Sequence, residues 1–254
     1  MQGAADSLSV QNGSYYIARN MLFLQWEAPV ATIDIDVPDM GHIARGTVTA
    51  ASKQHAFELM ESIACHDGRR MCVRVFETTG GLRGFVTSHR ISAVHLWREP
   101  AFAQHLLDAG QDPYFLIGCM ATCLFSVRLS PKWINDQPRD NDTIVFRGHI
   151  NGDVPEIPAA VDFVADLVRI QDTFHGLDAG QLLGALARFR ADHAGCFGAA
   201  PPAKPWSVMR GLYSEADEAL RGRERVLVRD VGRWTRLLPI PEPSCRFMST
   251  HVAS

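Results

Sequence analysis

Two aspartates placed two positions apart are the residues of this chain best suited to chemistry. Asp34 and Asp36 lie in the segment ATIDIDVPD, where they alternate with Ile33, Ile35 and Val37. This period of two predicts a half-buried strand with both carboxylates on one face. Such a pair can hold one divalent cation, or bridge two that lie about 4 Å apart, as phosphoryl transfer requires. Hard oxygen ligands favour Mg²⁺ or Mn²⁺, although the same pattern also occurs at merely polar positions.

The elements that must position these aspartates alternate between strand-like and helical patterns. Apolar residues at helical spacing predict a helix over residues 51–65. The runs MCVRVFET and LRGFVTSHR, separated by Thr79-Gly80-Gly81, predict a hairpin. Two helical pieces between residues 94 and 123 lead to the strand LFSVRLS, for which TIVFRGHI at residues 143–150 is the candidate partner.

This order of strand, helix, hairpin, helix and strand predicts an α/β fold of the α+β type, a ferredoxin-like or RRM-like βαββαβ antiparallel sheet with its helices on one face. The preceding run YYIARNMLFLQW is too irregular to assign and is expected to pack on the core as an entry segment. Beyond Pro158, helices are predicted over residues 159–174, 179–193 and 206–221, with a Pro-rich linker at 198–205. We therefore expect a sheet domain, residues 1–152, followed by a helical C-terminal region, residues 153–254.

Composition limits the functions that the chain can have. With 254 residues, 46% of them hydrophobic and 21% charged, the chain is expected to fold and to bury a core. A formal net charge of -3 excludes a protein that coats nucleic acid through bulk charge, so a nucleic-acid site would be a local patch. No apolar run approaches the roughly 20 residues that cross a bilayer, and no signal-peptide pattern is present at the start, which predicts a cytoplasmic protein. The six cysteines have no zinc-ligand spacing and are expected to be reduced core residues.

Alternation also separates the two faces of the predicted sheet. The apolar face, expected to contact the helices, comprises Ile33, Ile35, Val37, Val73, Val75, Leu82, Gly84, Val86, Phe125, Val127 and Leu129. The opposite face comprises Asp34, Asp36, Arg74, Phe76, Arg83, Phe85, Thr87, His89, Ser126, Arg128 and Ser130. Arginine together with phenylalanine suits contacts to phosphates and bases. The alternative is that the C-terminal helices cover this face, with aspartate and arginine paired in a second, partly polar core.

The layout resembles the catalytic core of the archaeo-eukaryotic primase and primase-polymerase superfamily. That core is an RRM-like sheet whose first strand carries a hydrophobic-Asp-hydrophobic-Asp motif, to which ATIDIDVPD is similar. The family's second motif is a small residue, any residue and then histidine, and it binds nucleotide phosphate; the nearest match is Thr87-Ser88-His89. The third motif is an acid on a later strand, for which Asp140 and Asp142 are candidates. The resemblance covers residues 31–152.

The resemblance implies a metal-dependent nucleotidyltransferase that acts on nucleoside triphosphates and nucleic acid. It would use Mg²⁺ or Mn²⁺ as its cofactor, held by the two aspartates. The expected catalytic residues are Asp34, Asp36 and His89, and the expected substrate-binding residues are Arg74, Arg83, Phe85, Arg128 and Lys132.

Two other functions fit the same residues. In the first, the sheet is a non-catalytic nucleic-acid- or nucleotide-binding module in which Phe76 and Phe85 stack on bases while the arginines hold phosphate. In the second, the chain is an inactive, primase-like partner-binding protein whose polar sheet face is buried. The position of Arg83, where many relatives carry histidine, keeps these alternatives open.

Overall fold

The computed structural model describes residues 14–18, 20–26, 30–37, 51–93, 95–122, 124–134, 137–138 and 144–197. They form a mixed α/β fold of antiparallel sheets and helices. The strands are β1 (Ser14–Ala18), β2 (Met21–Trp26), β3 (Ala31–Asp36), β4 (Val73–Glu77), β5 (Gly81–Val86), β6 (Phe125–Arg128), β7 (Trp133–Ile134), β8 (Gln137–Pro138) and β9 (Val145–Ile150). The helices are α1 (Lys53–Ala64), α2 (His95–Arg98), α3 (Pro100–Asp108), α4 (Pro113–Thr122), α5 (Pro158–Asp172) and α6 (Ala179–Asp192).

A four-stranded antiparallel sheet in the order β3-β5-β4-β9 carries the predicted aspartates. The strand around Asp34 and the hairpin of β4 and β5 are confirmed. Gly81 begins β5 opposite Asp36, at a point where the strands approach closely. A Cβ at Gly81 would lie 2.0 Å from the Ile35 carbonyl oxygen, so only glycine fits there.

A second antiparallel sheet has the order β1-β2-β6. Its β1–β2 hairpin is the run that sequence patterning left unassigned, and it turns at Asn20, whose φ of 58° lies in the left-handed region that asparagine tolerates. The predicted pairing of LFSVRLS with TIVFRGHI is wrong. The strand β6 pairs with β2, where Phe125 lies opposite Trp26, and β9 pairs with β4, where Phe146 lies opposite Phe76. Both strands pair with strands that are distant in sequence. Local patterning does not indicate which distant strand is the partner.

The predicted apolar face packs against α1, which buries Met60 on β5. A Cβ at Gly84 would lie 2.5 Å from the Met60 sulfur, so this glycine lets the helix approach the sheet. The helix begins at the N-cap Ser52, whose hydroxyl accepts a hydrogen bond from the His55 amide. All the expected core residues of β3, β4, β5 and β6 are buried. The two helical pieces predicted between residues 94 and 123 correspond to α2, α3 and α4.

The helices α5 and α6 confirm the first two helices predicted beyond residue 158, and both share the buried core with the sheets. Phe163 of α5 packs edge-on against Trp26 with ring centroids 5.0 Å apart, and Phe189 of α6 packs on Tyr15 at 5.1 Å. The predicted linker at 198–205 and the helix at 206–221 lie outside the described residues. Among the described helices, none has both the length and the apolar character needed to cross a membrane.

Candidate functional site

Asp34 and Asp36 project from the same face of β3, as predicted, and both are half-buried. Arg83 lies opposite Asp34 in the register of β3 and β5. Its Nε and Nη2 atoms each donate to one carboxylate oxygen of Asp34, both at 3.3 Å. Arg83 therefore contacts the first aspartate directly, in a long, bidentate ion pair.

The second aspartate is the electrostatically unfavourable member of the pair. Burial, and secondly the negative charge of Asp34, raise the pKa of Asp36 to about 6, while the charges of Arg83 and Lys132 act in the opposite direction. Two carboxylates kept in this proximity attract a cation, because a cation relieves both the burial and the repulsion. The structure thus brings together four of the predicted residues, namely Asp34, Asp36, Arg83 and Lys132.

The backbone of Asp34 is fixed by the segment that leads into α4. The Asp34 amide donates to Gln111 Oε1 at 3.1 Å, and the Asp112 amide donates to the Asp34 carbonyl oxygen at 2.9 Å. The side chain of Gln111 is buried, and within the described part of the chain its Nε2 atom finds no hydrogen-bond partner. Sequence patterning missed this residue, because nothing local indicates that a glutamine after α3 reaches a strand 77 positions earlier.

A divalent cation fits this donor set only in company with a ligand that supplies further oxygens. Within the described ranges, no group of three or more histidine, cysteine, aspartate or glutamate side chains is placed to hold a metal. The candidate third acids, Asp140 and Asp142, lie outside those ranges. Mg²⁺ is commonly held by one or two carboxylates together with substrate phosphates and water. Each carboxylate oxygen also has two lone pairs, so the Arg83 ion pair leaves Asp34 with coordinating capacity.

An aromatic surface lies on the same sheet face as the aspartates. Cross-strand register places Asp34, Arg83, Phe76 and Phe146 in one row over the four strands, which we call the central row. Phe76 is buried, whereas Phe146 is 50% exposed, and their rings lie 5.4 Å apart. Phe146 is therefore the accessible aromatic side chain of this row.

Phe85 does not serve the stacking role expected of it. The residue is fully buried, and its ring packs edge-on against Phe76 at 5.7 Å. A ring without exposed surface cannot stack on a base, so Phe85 is removed from the predicted substrate contacts. Because Phe76 is also buried, the exposed ring that sequence reasoning missed is Phe146. The sequence predicts a strand over the segment that carries Phe146 but pairs that strand with the wrong partner.

Arg74 is committed to a structural ion pair. Its Nε and Nη2 atoms donate to Glu156 at 2.7 and 2.8 Å, and Thr87 Oγ1 donates to the same carboxylate at 2.6 Å. These contacts, that of Arg74 first, lower the pKa of Glu156 to about 2. The adjacent Ile157 amide donates to the Thr87 carbonyl oxygen. Arg74 thus connects the sheet to the start of α5, in agreement with the alternative in which a C-terminal helix pairs with the polar face.

Arg128 belongs to a different sheet from the aspartate pair, and His89 lies beyond the far end of β5. Arg128 belongs to β6 of the second sheet, where its Nε donates to the Ser130 carbonyl oxygen at 3.1 Å. Gly81, opposite Asp36, begins β5, whereas His89 lies three residues beyond the end of that strand. At about 3.3 Å per residue, strand geometry separates the two positions by up to about 26 Å. The expected catalytic trio is therefore divided between opposite ends of β5.

The end of β5 that carries His89 has its own cleft, with a volume of ≈ 150 Å³. Three of the residues that line it are histidines, His66, His89 and His95. Nothing in the sequence patterning singled out His66 or His95. Their convergence depends on how the turn after α1 and the start of α2 fold against the end of β5.

No protein-family model, curated protein or solved structure matches this chain.

Proposed function

We propose that this chain is a metal-dependent nucleotidyltransferase of the primase-polymerase type, acting on a nucleoside triphosphate and nucleic acid. The observation that carries the proposal is the placement of Asp34 and Asp36 on one half-buried strand face, beside Arg83 and Lys132. Two carboxylates and two cations in one place match a triphosphate that arrives with its cation. The raised pKa of Asp36 adds support, since strongly perturbed groups cluster at functional sites.

The order of elements supports the same proposal. A strand, a helix and a hairpin whose second strand pairs with the first, as in β3, α1, β4 and β5, correspond to the first half of an RRM-like or ferredoxin-like unit. Within the proposed sheet domain of residues 1–152, the aspartates would lie on β3, the first strand of that unit. The helical region of residues 153–254 would follow it, beginning with α5 and α6.

Each residue of the pair has a definable task in the proposed reaction. Asp34 and Asp36 would hold Mg²⁺ or Mn²⁺ together with phosphate oxygens, and that cation would supply charge neutralisation of the triphosphate. Arg83 orients Asp34 through its bidentate contact, and Lys132 supplies positive charge on the side of Asp36. His89 lies at the other end of β5 and has no part in this arrangement.

The proposal is tested by nucleotide binding and by primer extension. In the presence of Mn²⁺, the protein should bind a non-hydrolysable nucleoside triphosphate and extend a primed template. Asp36→Asn should reduce extension at least 100-fold, because hard-cation sites depend on carboxylate charge. The matched control is Asp192→Asn, which removes an exposed carboxylate at the end of α6 and should leave extension within twofold. Equal activity of the two variants, or no nucleotide binding by the parent chain, would sink the proposal.

A second candidate is a non-catalytic RRM-like module that binds nucleic acid or nucleotide, or an inactive primase-like protein that binds a partner. The exposed ring of Phe146 beside His149, at 5.1 Å, favours the nucleic-acid form because RRM sheets present aromatic rings to bases. In that case Phe146→Ala should weaken single-strand binding about tenfold, at 1–3 kcal/mol for each stacked base. Leu183→Ala, an exposed apolar control on α6, should not change it. This candidate would be favoured if the parent chain showed no catalysis and Asp36→Asn bound single-stranded nucleic acid as tightly as the parent chain.

A further inference from the structure

The cleft at the His89 end of β5 combines an apolar wall with a polar lining. Its apolar residues are Met71, Ile91 and Phe102, and its polar residues are His66, Arg69, His89, Arg90, His95 and Glu99. The cleft is partly open to solvent and has space for a phosphate-sized group.

Hydrogen bonds at the cleft orient two of its imidazoles and make one of them a donor. The backbone amide of Ser92 donates to His95 Nδ1 at 3.1 Å, which requires that this nitrogen be unprotonated and that Nε2 carry the proton. The hydroxyl of Ser88 already accepts a hydrogen bond from the Cys72 amide at 2.7 Å. His89 Nδ1 lies 2.7 Å from the same hydroxyl, and this hydrogen bond fixes the orientation of the His89 ring at the cleft.

The charge of the lining is positive. Arg69 lies 3.5 Å from Glu99, an ion pair at the outer limit of contact, and both side chains are largely exposed. Arg90 is exposed and forms no ion pair with any residue in the described ranges. Two guanidinium groups therefore face one carboxylate. His66, stacked on His105 at 4.3 Å, has its pKa lowered by burial and then by His105, so it contributes polarity without charge near neutral pH.

We infer that this cleft binds the terminal phosphate of a phosphate monoester, using Arg90, Arg69, the Nε2–H group of His95 and the ring of His89. A monoester carries close to two negative charges and three terminal oxygens, which matches two guanidinium groups together with the His95 donor. A phosphodiester offers one charge and two such oxygens, and it has a second substituent that the ≈ 150 Å³ cleft would have to accommodate. The inference is independent of the proposed function, because the aspartate pair lies at the other end of β5.

Titration calorimetry with three small probes tests the inference on the full chain. Inorganic phosphate and methyl phosphate should bind saturably, and dimethyl phosphate should bind at least tenfold more weakly. Arg90→Gln should weaken binding of inorganic phosphate about tenfold or more, as expected for loss of a charge-assisted hydrogen bond. Arg90→Lys should recover part of that loss. Arg188→Gln removes another exposed guanidinium, from α6, and should stay within twofold of the parent chain.

The three probes distinguish a phosphate monoester from a backbone phosphodiester. Equal binding of methyl and dimethyl phosphate would overturn the inference, because it would indicate a backbone phosphodiester. Equal weakening by Arg90→Gln and Arg188→Gln would also overturn it, because that pattern indicates attraction by overall charge. Absence of saturable binding by both inorganic phosphate and methyl phosphate would do the same. Substitution of Asp36 should leave all three titrations unchanged, so failure here and failure of the proposed nucleotidyltransferase are distinguishable.

Discussion

The sheet carries two bidentate arginine–carboxylate pairs on one face, and they differ in the lengths of their hydrogen bonds and in the charges around them. Arg74 and Glu156 meet at 2.7 and 2.8 Å with a third donor from Thr87, and the pKa of Glu156 falls to about 2. Arg83 and Asp34 meet at 3.3 Å beside a second carboxylate, whose pKa rises to about 6. The first pair is satisfied and joins two elements. In the second, one guanidinium is shared with a neighbouring carboxylate whose ionised form remains unfavourable, which is the condition for recruiting a cation.

The comparison indicates that paired charges on a sheet face have to be judged by their surroundings. A carboxylate that accepts hydrogen bonds from several donors has a structural role, because those bonds favour its ionised form in the folded state. A carboxylate that must share its cations with a neighbouring carboxylate is electrostatically strained. The residue types are nearly the same in both cases, so composition alone cannot assign the roles.

The two pairs should differ most in stability when the carboxylate of each is removed in turn. Glu156→Ala should lower the free energy of unfolding by about 2 kcal/mol, because it leaves Arg74 partly buried without its partner. Asp34→Ala should cost about 1 kcal/mol or less, because Arg83 keeps Asp36 nearby. Urea unfolding at pH 7 measures both, with Glu61→Ala on the exposed side of α1 as the control. A greater loss at Asp34 than at Glu156 would reverse the assignment.

Neutralising the strained carboxylate should stabilise the fold. The pKa of Asp36 is raised in the folded state from 3.8 to about 6, so its contribution to stability is full below about pH 4 and is lost as the pH rises through 6. Asp36→Asn should therefore increase the free energy of unfolding at pH 7 by about 1 kcal/mol relative to the parent chain, and hardly at all at pH 4. The measurement requires a chelator, since bound metal would favour the parent. If Asp36→Asn were less stable than the parent chain at pH 7, the electrostatic strain assigned to Asp36 would be contradicted.

The opposite pH dependence is expected of the satisfied pair. Because the pKa of Glu156 is lowered from 4.5 to about 2, its contribution is present above pH 4.5 and is lost as the pH falls toward 2. Glu156→Gln should flatten the acid limb of the stability curve by about 1 kcal/mol between pH 5 and pH 2, after allowance for solvent screening. Acid titrations followed by circular dichroism provide the measurement. An unchanged acid limb would mean that protonation of Glu156 does not affect the free energy of unfolding.

Sequence patterning predicted what depends on neighbours along the chain. The alternation of Ile33, Asp34, Ile35 and Asp36 predicted the strand and its two faces, and Thr79-Gly80-Gly81 predicted the hairpin. Each of these features is encoded within a few residues, where period and turn chemistry decide the local conformation.

What the sequence did not reveal depends on contacts between distant residues. Glu156 lies 82 positions from Arg74, and Gln111 lies 77 positions from Asp34, so no local pattern links them. Phe85 belongs to the polar face by alternation yet is fully buried, because neighbouring elements cover that part of the sheet. His89 was assigned to the catalytic residues by its match to the family's second motif, at the far end of the strand. The register of β3 with β5 places that end away from the aspartates.

The smallest effect concerns the third donor that distinguishes the two pairs. Thr87→Val preserves shape and removes the hydroxyl that donates to Glu156 at 2.6 Å, so the free energy of unfolding should fall by about 0.5–1 kcal/mol. The Thr87 hydrogen bond is also one cause of the lowered pKa of Glu156. In the Val variant this pKa should therefore rise toward 4.5, and nuclear magnetic resonance titration of the side-chain carboxyl carbon would detect the change. Because Arg74 remains the larger cause, the pKa should stay below its ordinary value. A full return to 4.5 would show instead that the hydroxyl, and not the guanidinium, separates Glu156 from Asp36.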